Sequence, residues 1–134
     1  MAFENLDDIK RGLRAFATKV VVKLVFDITA NLRAAPDEGG TPVDTGWARA
    51  NWIPSIAQSV DEPFGSRVNV SSDAQDAGLA SVGAYTLDLG QIYVTNPVPY
   101  IQSLNDGHSQ QAPAGFVERA IEKAVFEDSQ GLAA

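Results

Sequence analysis

The side chains best suited to chemistry crowd into twelve residues, "TPVDTGWARANW", from Thr41 to Trp52. Asp44-Thr45-Gly46 is the triplet on which aspartic proteases mount a carboxylate; two such groups share one proton because like charges so close cannot both ionise. That chemistry needs a buried apolar strand ahead of the triplet and a small residue behind it. Here Pro42 interrupts any strand, and Trp47 fills the small-residue position. The same residues also read as local geometry. Asp44 or Thr45 accepts hydrogen bonds from backbone N–H groups one to three residues on. Gly46 bends the chain where a Cβ would clash, and Pro42 holds the approach extended. The result is a fixed lead into Trp52, with Arg49 close to the acids of the turn. A retropepsin-like protease acting through Asp44 is the weaker reading, and the chain is not expected to be an enzyme.

A second group of polar residues surrounds His108, the one histidine of the chain. Between Gly107 and Ser109 it reads as a loop residue making a structural hydrogen bond, ahead of an interface role. No Gly-x-Ser-x-Gly elbow accompanies Ser109, so that serine is not a nucleophile. A single histidine and no cysteine exclude the usual zinc ligand sets, thiolate chemistry and disulfides. No metal and no cofactor are expected. Tyr100 reads as a core residue whose hydroxyl finds a partner.

These residues need elements to position them. The 134 residues, 45% hydrophobic and 20% charged, suffice for one domain with a core. Leu6, Ile9, Leu13, Phe16, Val20, Leu24, Ile28 and Leu32 fall on one stripe and predict a helix over 4–34; Ala35-Pro36 ends it. Residues 35–51 read as a loop. Residues 52–112 hold the sheet and its connections. A strand is expected over Trp52–Val60, interrupted or edged by Pro54, and a second where Val68 and Val70 alternate. "GQIYVTN" gives the clearest strand, closed by Asn96-Pro97. Between 73 and 86 the alanines favour a helix capped by Asp73, through Ala74, Ala77, Ala80 and Ala84. A short helix around Tyr100, Ile101 and Leu104 ends at Asp106-Gly107. The last helix, 113–128, starts with Pro113 at its first position and carries Phe116, Val117, Ala120, Ile121, Ala124 and Val125 inward; Gly131 marks its end. The fold class is α+β: a long N-terminal amphipathic helix and a C-terminal helix on a small antiparallel sheet.

Charge divides unevenly. Residues 1–34 carry a net +2 and residues 35–134 a net −9. An acidic body repels phosphate backbones, so DNA is expected to pass it without specific binding. A DNA-contacting module that uses the basic face of the first helix is the alternative. The most apolar run, Val20 to Phe26, is broken by Lys23 and stopped by Asp27. It falls well short of the roughly 18 apolar residues of a membrane span, and no membrane partner is expected.

Taken together, "TPVDTGWARANW" and "IYVTNPVPYIQSLNDGHSQQAPAGFVERAI" resemble the tail-completion, or head–tail joining, proteins of tailed bacteriophages and prophages. The matching positions are Thr41 to Gly46, Asn96, Tyr100, Leu104, Gly107-His108 and Ala112-Pro113-Ala114-Gly115, and the long first helix fits as well. Asn105-Asp106 stands where the family more often has an acidic or aromatic residue before Gly-His. Trp47 replaces a more usual Arg or Leu. The resemblance implies a structural virion protein of the neck, assembled in the host cytoplasm. Its partners would be further copies of itself in a ring, six by family expectation, with connector and tail-tube proteins. Two loops would present the interfaces: Pro42, Asp44, Thr45, Gly46, Trp47, Arg49 and Trp52 in one, Tyr100, Gly107, His108 and Pro113 in the other. Such a head-to-tail ring requires two different patches on each subunit.

Overall fold

The structure, a computed structural model, describes residues 5–133. Helix α1 (Leu6–Arg33) begins where extended Asn5 accepts a hydrogen bond from the Asp8 N–H at 3.0 Å. Asp7 and Asp8 in its first turn and Arg33 in its last complement the helix dipole. The expected start at residue 4 lies outside the described residues. The β-branched run from Val20 to Val25 stays helical, since tertiary burial of Val25, Thr29 and Leu32 outweighs local propensity.

After α1 the chain makes a 3-10 turn at Pro36–Glu38 and doubles back. It passes so close that a Cβ on Gly40 would meet Ala34 O at 1.8 Å. Thr41, fully buried, then seals the helix end: its N–H (3.1 Å) and its hydroxyl (2.7 Å) both donate to Leu32 O. The stretch expected as loop also contains a one-turn helix, α2 (Trp47–Ala50).

The sheet has two antiparallel strands, β1 (Ile53–Ile56) and β2 (Ile92–Thr95), in the register Ile53 to Thr95 and Ile56 to Ile92. β1 is shorter than the expected Trp52–Val60, because Ala57 at φ +71° leaves the pleat. No strand forms at Val68 and Val70. Ser66 and Asn69 exchange backbone hydrogen bonds with each other, which closes a local loop and leaves Val68 88% exposed.

Helix α3 (Asp73–Gly83) forms where alanine content predicts it, with two corrections. Ser72, not Asp73, holds the cap position, while the Asp73 N–H bonds Ser71 Oγ at 3.1 Å. Its buried face is Gln75, Gly78 and Val82, whereas Ala77, Ala80 and Ala84 are exposed. A Cβ at Gly78 would lie 2.2 Å from Pro54 O, so α3 rests on β1 at a distance only glycine permits.

Helix α4 (Ile101–Asn105) ends at Asp106-Gly107 as expected. Helix α5 (Phe116–Ala133) does not start at Pro113. Gly115 at φ +85° breaks the backbone between them, and Asn105 supplies the start instead. The Asn105 carbonyl accepts from the Gly115 N–H (2.8 Å) and its Oδ1 from the Val117 N–H (3.0 Å). α5 also runs through Gly131, where an exposed glycine costs only about 1 kcal/mol.

Leu32, Trp52, Ala112, Phe116 and Ala120 form the core where α1, the corner before β1 and α5 meet. α1 and α5 are antiparallel: Asn31 Nδ2 donates to Ala120 O (3.1 Å) and Lys23 Nζ reaches Asp128 (3.1 Å). Eight residues along α1 thus match eight along α5, which brings Ala133 level with Thr18. The N-terminal turns of α1 extend past that point. Of the expected core stripe, Leu32 is buried, but Leu6, Leu13 and Phe16 are more than half exposed and Ile9 is 41% exposed. The period is real; burial is confined to the helix's second half, at Val25, Thr29 and Leu32.

Candidate functional site

The corner from Thr41 to Trp52 is held from inside by polar side chains. Trp52, 7% exposed, donates its indole N–H to Thr41 Oγ1 at 2.8 Å, so one hydroxyl joins the end of α1 to the start of β1. Asn51, with no exposure at all, donates Nδ2 to Trp47 O (2.9 Å) and Phe64 O (3.0 Å), and accepts from the Phe64 N–H (2.7 Å). Gln75 of α3 donates to Arg49 O (3.1 Å), and Asn96 beyond β2 to Ala48 O (2.8 Å). Asn51 and Gln75 are buried and Asn96 is partly buried, and a buried amide left unpaired costs about 1–3 kcal/mol. The corner is rigid by this wiring.

Its surface follows from the same bonds. Gly46 takes φ +89° and opens α2; Thr45 Oγ1 accepts from the Trp47 N–H at 3.3 Å, the turn cap expected of it. Asp44 and Thr45 are exposed, and among the described residues Asp44 makes no hydrogen bond or ion pair. Trp47 is half-buried, its indole N–H on Phe64 O (3.0 Å) and its ring 6.0 Å from that of Tyr100. Arg67 lies over the Tyr100 ring at 4.8 Å. Arg49, expected beside the turn's acids, makes no ion pair among the described residues and lines a depression with Thr45, Ser71, Ser72 and Arg33.

The two loops expected to form separate patches are one surface. Gln111, two residues before Pro113, clamps Val43: Nε2 donates to Val43 O (2.6 Å) and Oε1 accepts from the Val43 N–H (2.8 Å). Between them lies a cleft of ≈ 70 Å³ lined by Pro42, Val43, Asp44, Tyr100, Leu104 and Ser109. Ligand sites commonly measure about 300–1,000 Å³, so this cleft is small beside them. Gly107, at φ +92°, lets the second loop turn beside Ala114. His108 is exposed, its Nδ1 3.1 Å from Ser103 Oγ, which is the structural hydrogen bond expected. Pro113 is exposed in the same loop, and its carbonyl accepts from Arg119 (3.3 Å).

Of the residues singled out in sequence, Trp52 belongs to the core and Trp47 is half-covered. Asn51, Gln75, Gln111 and Arg67 were missed. Only Gln75 left a trace, as the polar member of the Gln75, Gly78, Val82 spacing. No group of three or more metal-ligating side chains gathers among the described residues, and no described helix is long and apolar enough to cross a membrane.

The fold places the chain in the α+β class. Comparison with protein-family models, with curated proteins and with solved structures finds no match.

Proposed function

We propose that the chain is a structural subunit of the neck of a tailed bacteriophage or prophage, one copy in a ring that completes the tail or joins it to the capsid connector. The observation that carries this reading is the pairing of opposites at one place. Asp44 and Thr45 are exposed, between backbone groups at Val43, Trp47, Ala48 and Arg49 that Gln111, Asn51, Asn96 and Gln75 hold by hydrogen bonds. A surface fixed in advance loses little conformational freedom on association, and suits recognition of another protein. The resemblance of the Thr41–Gly46 and Gly107–Gly115 stretches to tail-completion proteins gives that partner its class: connector, tail tube or neighbouring copy.

A protease reading fares worse on geometry. Asp44 leads into the one-turn helix α2 instead of sitting on a strand, and the sheet has only two short strands. DNA binding through α1 is opposed by pairing of three of its six basic groups: Arg11 with Asp8, Lys23 with Asp27 and Asp128, Arg33 with Asp76.

The test is replacement of Asp44 by alanine in the phage or prophage that encodes the chain. The isolated variant should match the wild type in circular dichroism and melting, while the yield of particles with joined heads and tails falls. Normal yield would overturn the neck reading. Tight DNA binding by the wild type that weakens steeply with salt would replace it with the DNA-contacting alternative.

A further inference from the structure

Between the corner and α3 lies the depression of ≈ 270 Å³ that Arg33 and Arg49 line. Its volume approaches the about 300 Å³ at which ligand sites begin. In a chain of net charge −7, its lining holds two guanidinium groups and no carboxylate. Arg33 is paired with Asp76 at 3.3 Å, and Asp76 does not line the depression. Arg49 makes no ion pair among the described residues. One positive charge is left over.

Two hydroxyls of the lining add donors. Thr45 Oγ1 accepts from the Trp47 N–H (3.3 Å) and Ser71 Oγ from the Asp73 N–H (3.1 Å), and neither donates to a described group. A hydroxyl engaged only as an acceptor keeps its proton for a further partner. Gln75 supplies an unmatched acceptor. It is 1% exposed, and its Nε2 donates to Arg49 O at 3.1 Å, which leaves Oε1 on the other side of the amide. Oε1 accepts from no described group, yet it is not sealed from solvent, so it opens on the depression that Gln75 lines.

These groups select the ligand. A free guanidinium matches a carboxylate with two parallel hydrogen bonds. One surplus charge balances a carboxylate, whereas a phosphate dianion would stay half uncompensated in an acidic chain. Neither ion has a proton to give Gln75 Oε1. The α-carboxylate that ends a polypeptide brings its own donor, the N–H of the same residue. Ala50 and Val70 complete the lining with an apolar wall for that residue's side chain.

We infer that the depression holds the C-terminal carboxylate of a polypeptide, with Arg49 on the carboxylate and Gln75 Oε1 on the N–H of the terminal residue. Capture of a terminal carboxylate is a recurring mode of peptide recognition. The inference does not rest on the neck reading, which concerns the exposed Asp44 and the assembled particle. Asp44 does not line the depression, so either reading can fail while the other stands.

Nuclear magnetic resonance of the isotope-labelled full chain tests it. The probes are acetyl-Gly-Gly-Ala with a free carboxylate, the same peptide ending in an amide, an amide-ended peptide whose carboxylate is a glutamate side chain, and inorganic phosphate. The free acid should shift the signals of Ser71, Ser72 and Gln75 with a Kd on the order of 1 mM. The amide should bind at least about tenfold more weakly. Arg49→Gln should keep the wild-type circular dichroism spectrum and weaken the free acid at least about tenfold, the loss of one charge-assisted pair. Arg49→Lys restores the charge without the planar fork and should fall between. Acid and amide that bind alike overturn the inference, as does an Arg49→Gln variant that binds like the wild type. Absence of any shift at up to about 10 mM of the free acid overturns it too. Equal binding of the glutamate peptide would overturn it by assigning the depression to acidic side chains, and tighter binding of phosphate by assigning it to phosphate groups.

Discussion

The two ends of α1 differ in what satisfies them. At its C-terminal end Thr41 closes the last turn, Trp52 donates to Thr41, and Leu32 lies 1% exposed in the core. At its N-terminal end Asn5 caps the first turn with equal care, yet the apolar stripe above it faces solvent. One helix thus contributes a structural half and a projecting half, the arm. Hydrogen-bond satisfaction does not distinguish them; burial does. The difference teaches that the corner is stabilised by this chain alone, whereas the arm is stable as a helix and incomplete as a surface.

The comparison breaks most visibly at Trp52. Trp52→Ala removes the largest side chain of the core cluster and the donor to Thr41 Oγ1. Large aromatic truncations in a core cost about 3–5 kcal/mol, and this one should reach about 4 kcal/mol in urea denaturation. A loss of less than about 1 kcal/mol would mean that the corner does not depend on the bond between α1 and β1.

Much of the fold was legible because periodicity survives in a single sequence. The long helix, the strand at Ile92, the short helix ending at Gly107 and the C-terminal helix all appear near their expected places. What periodicity does not encode is which surface an apolar stripe meets. Leu6 and Leu32 obey the same spacing, and one is exposed while the other is core. The corner's wiring was illegible for another reason. Asn51, Gln75 and Gln111 are ordinary polar residues until the chain brings Phe64, Arg49 and Val43 to them across 13, 26 and 68 positions. The Pro113 start of α5 failed likewise, because Asn105 supplies the cap from a different helix.

The junction between the two halves of α1 carries an intermediate effect, and it depends on pH. Lys23 bridges Asp27 and Asp128 where α1 meets α5. Asp128 Oδ2 is buried and has no hydrogen-bond partner among the described residues. The neighbouring Asp27 carboxyl, with desolvation behind it, raises Asp128 above the ordinary carboxylate pKa. Desolvation pushes Asp27 up as well, but hydrogen bonds with Asp128 and Lys23, together with the Lys23 charge, outweigh it and leave Asp27 lowered. A raised folded-state pKa contributes stability that is complete below the unfolded value and lost as pH rises through the folded one. The Asp27 contribution has the opposite sense. In Asp128→Asn the first contribution disappears, so the stability of the wild type relative to this variant should fall as pH rises from below about 4 to neutrality. Denaturant melts at several pH values check it. A difference that is flat with pH would show that Asp27 and burial do not raise Asp128.

The smallest effect is expected at the arm, and it sharpens the comparison most. Leu13→Ala removes the same atoms as Leu32→Ala, in the same helix and with the same change in helix propensity. Leu32 leaves a cavity among Trp52, Phe116 and Ala120 and should cost about 3 kcal/mol. Leu13, 63% exposed, takes nothing out of a packed site in the isolated chain. Its substitution should shift monomer stability by less than about 0.5 kcal/mol, measured where the protein is dilute enough to be unassociated. If Leu13→Ala proves as costly as Leu32→Ala under those conditions, the arm is covered by its own chain in solution and has no face to offer. If it is neutral when dilute and destabilising when concentrated, the missing energy comes from a neighbour, because only association makes stability depend on concentration.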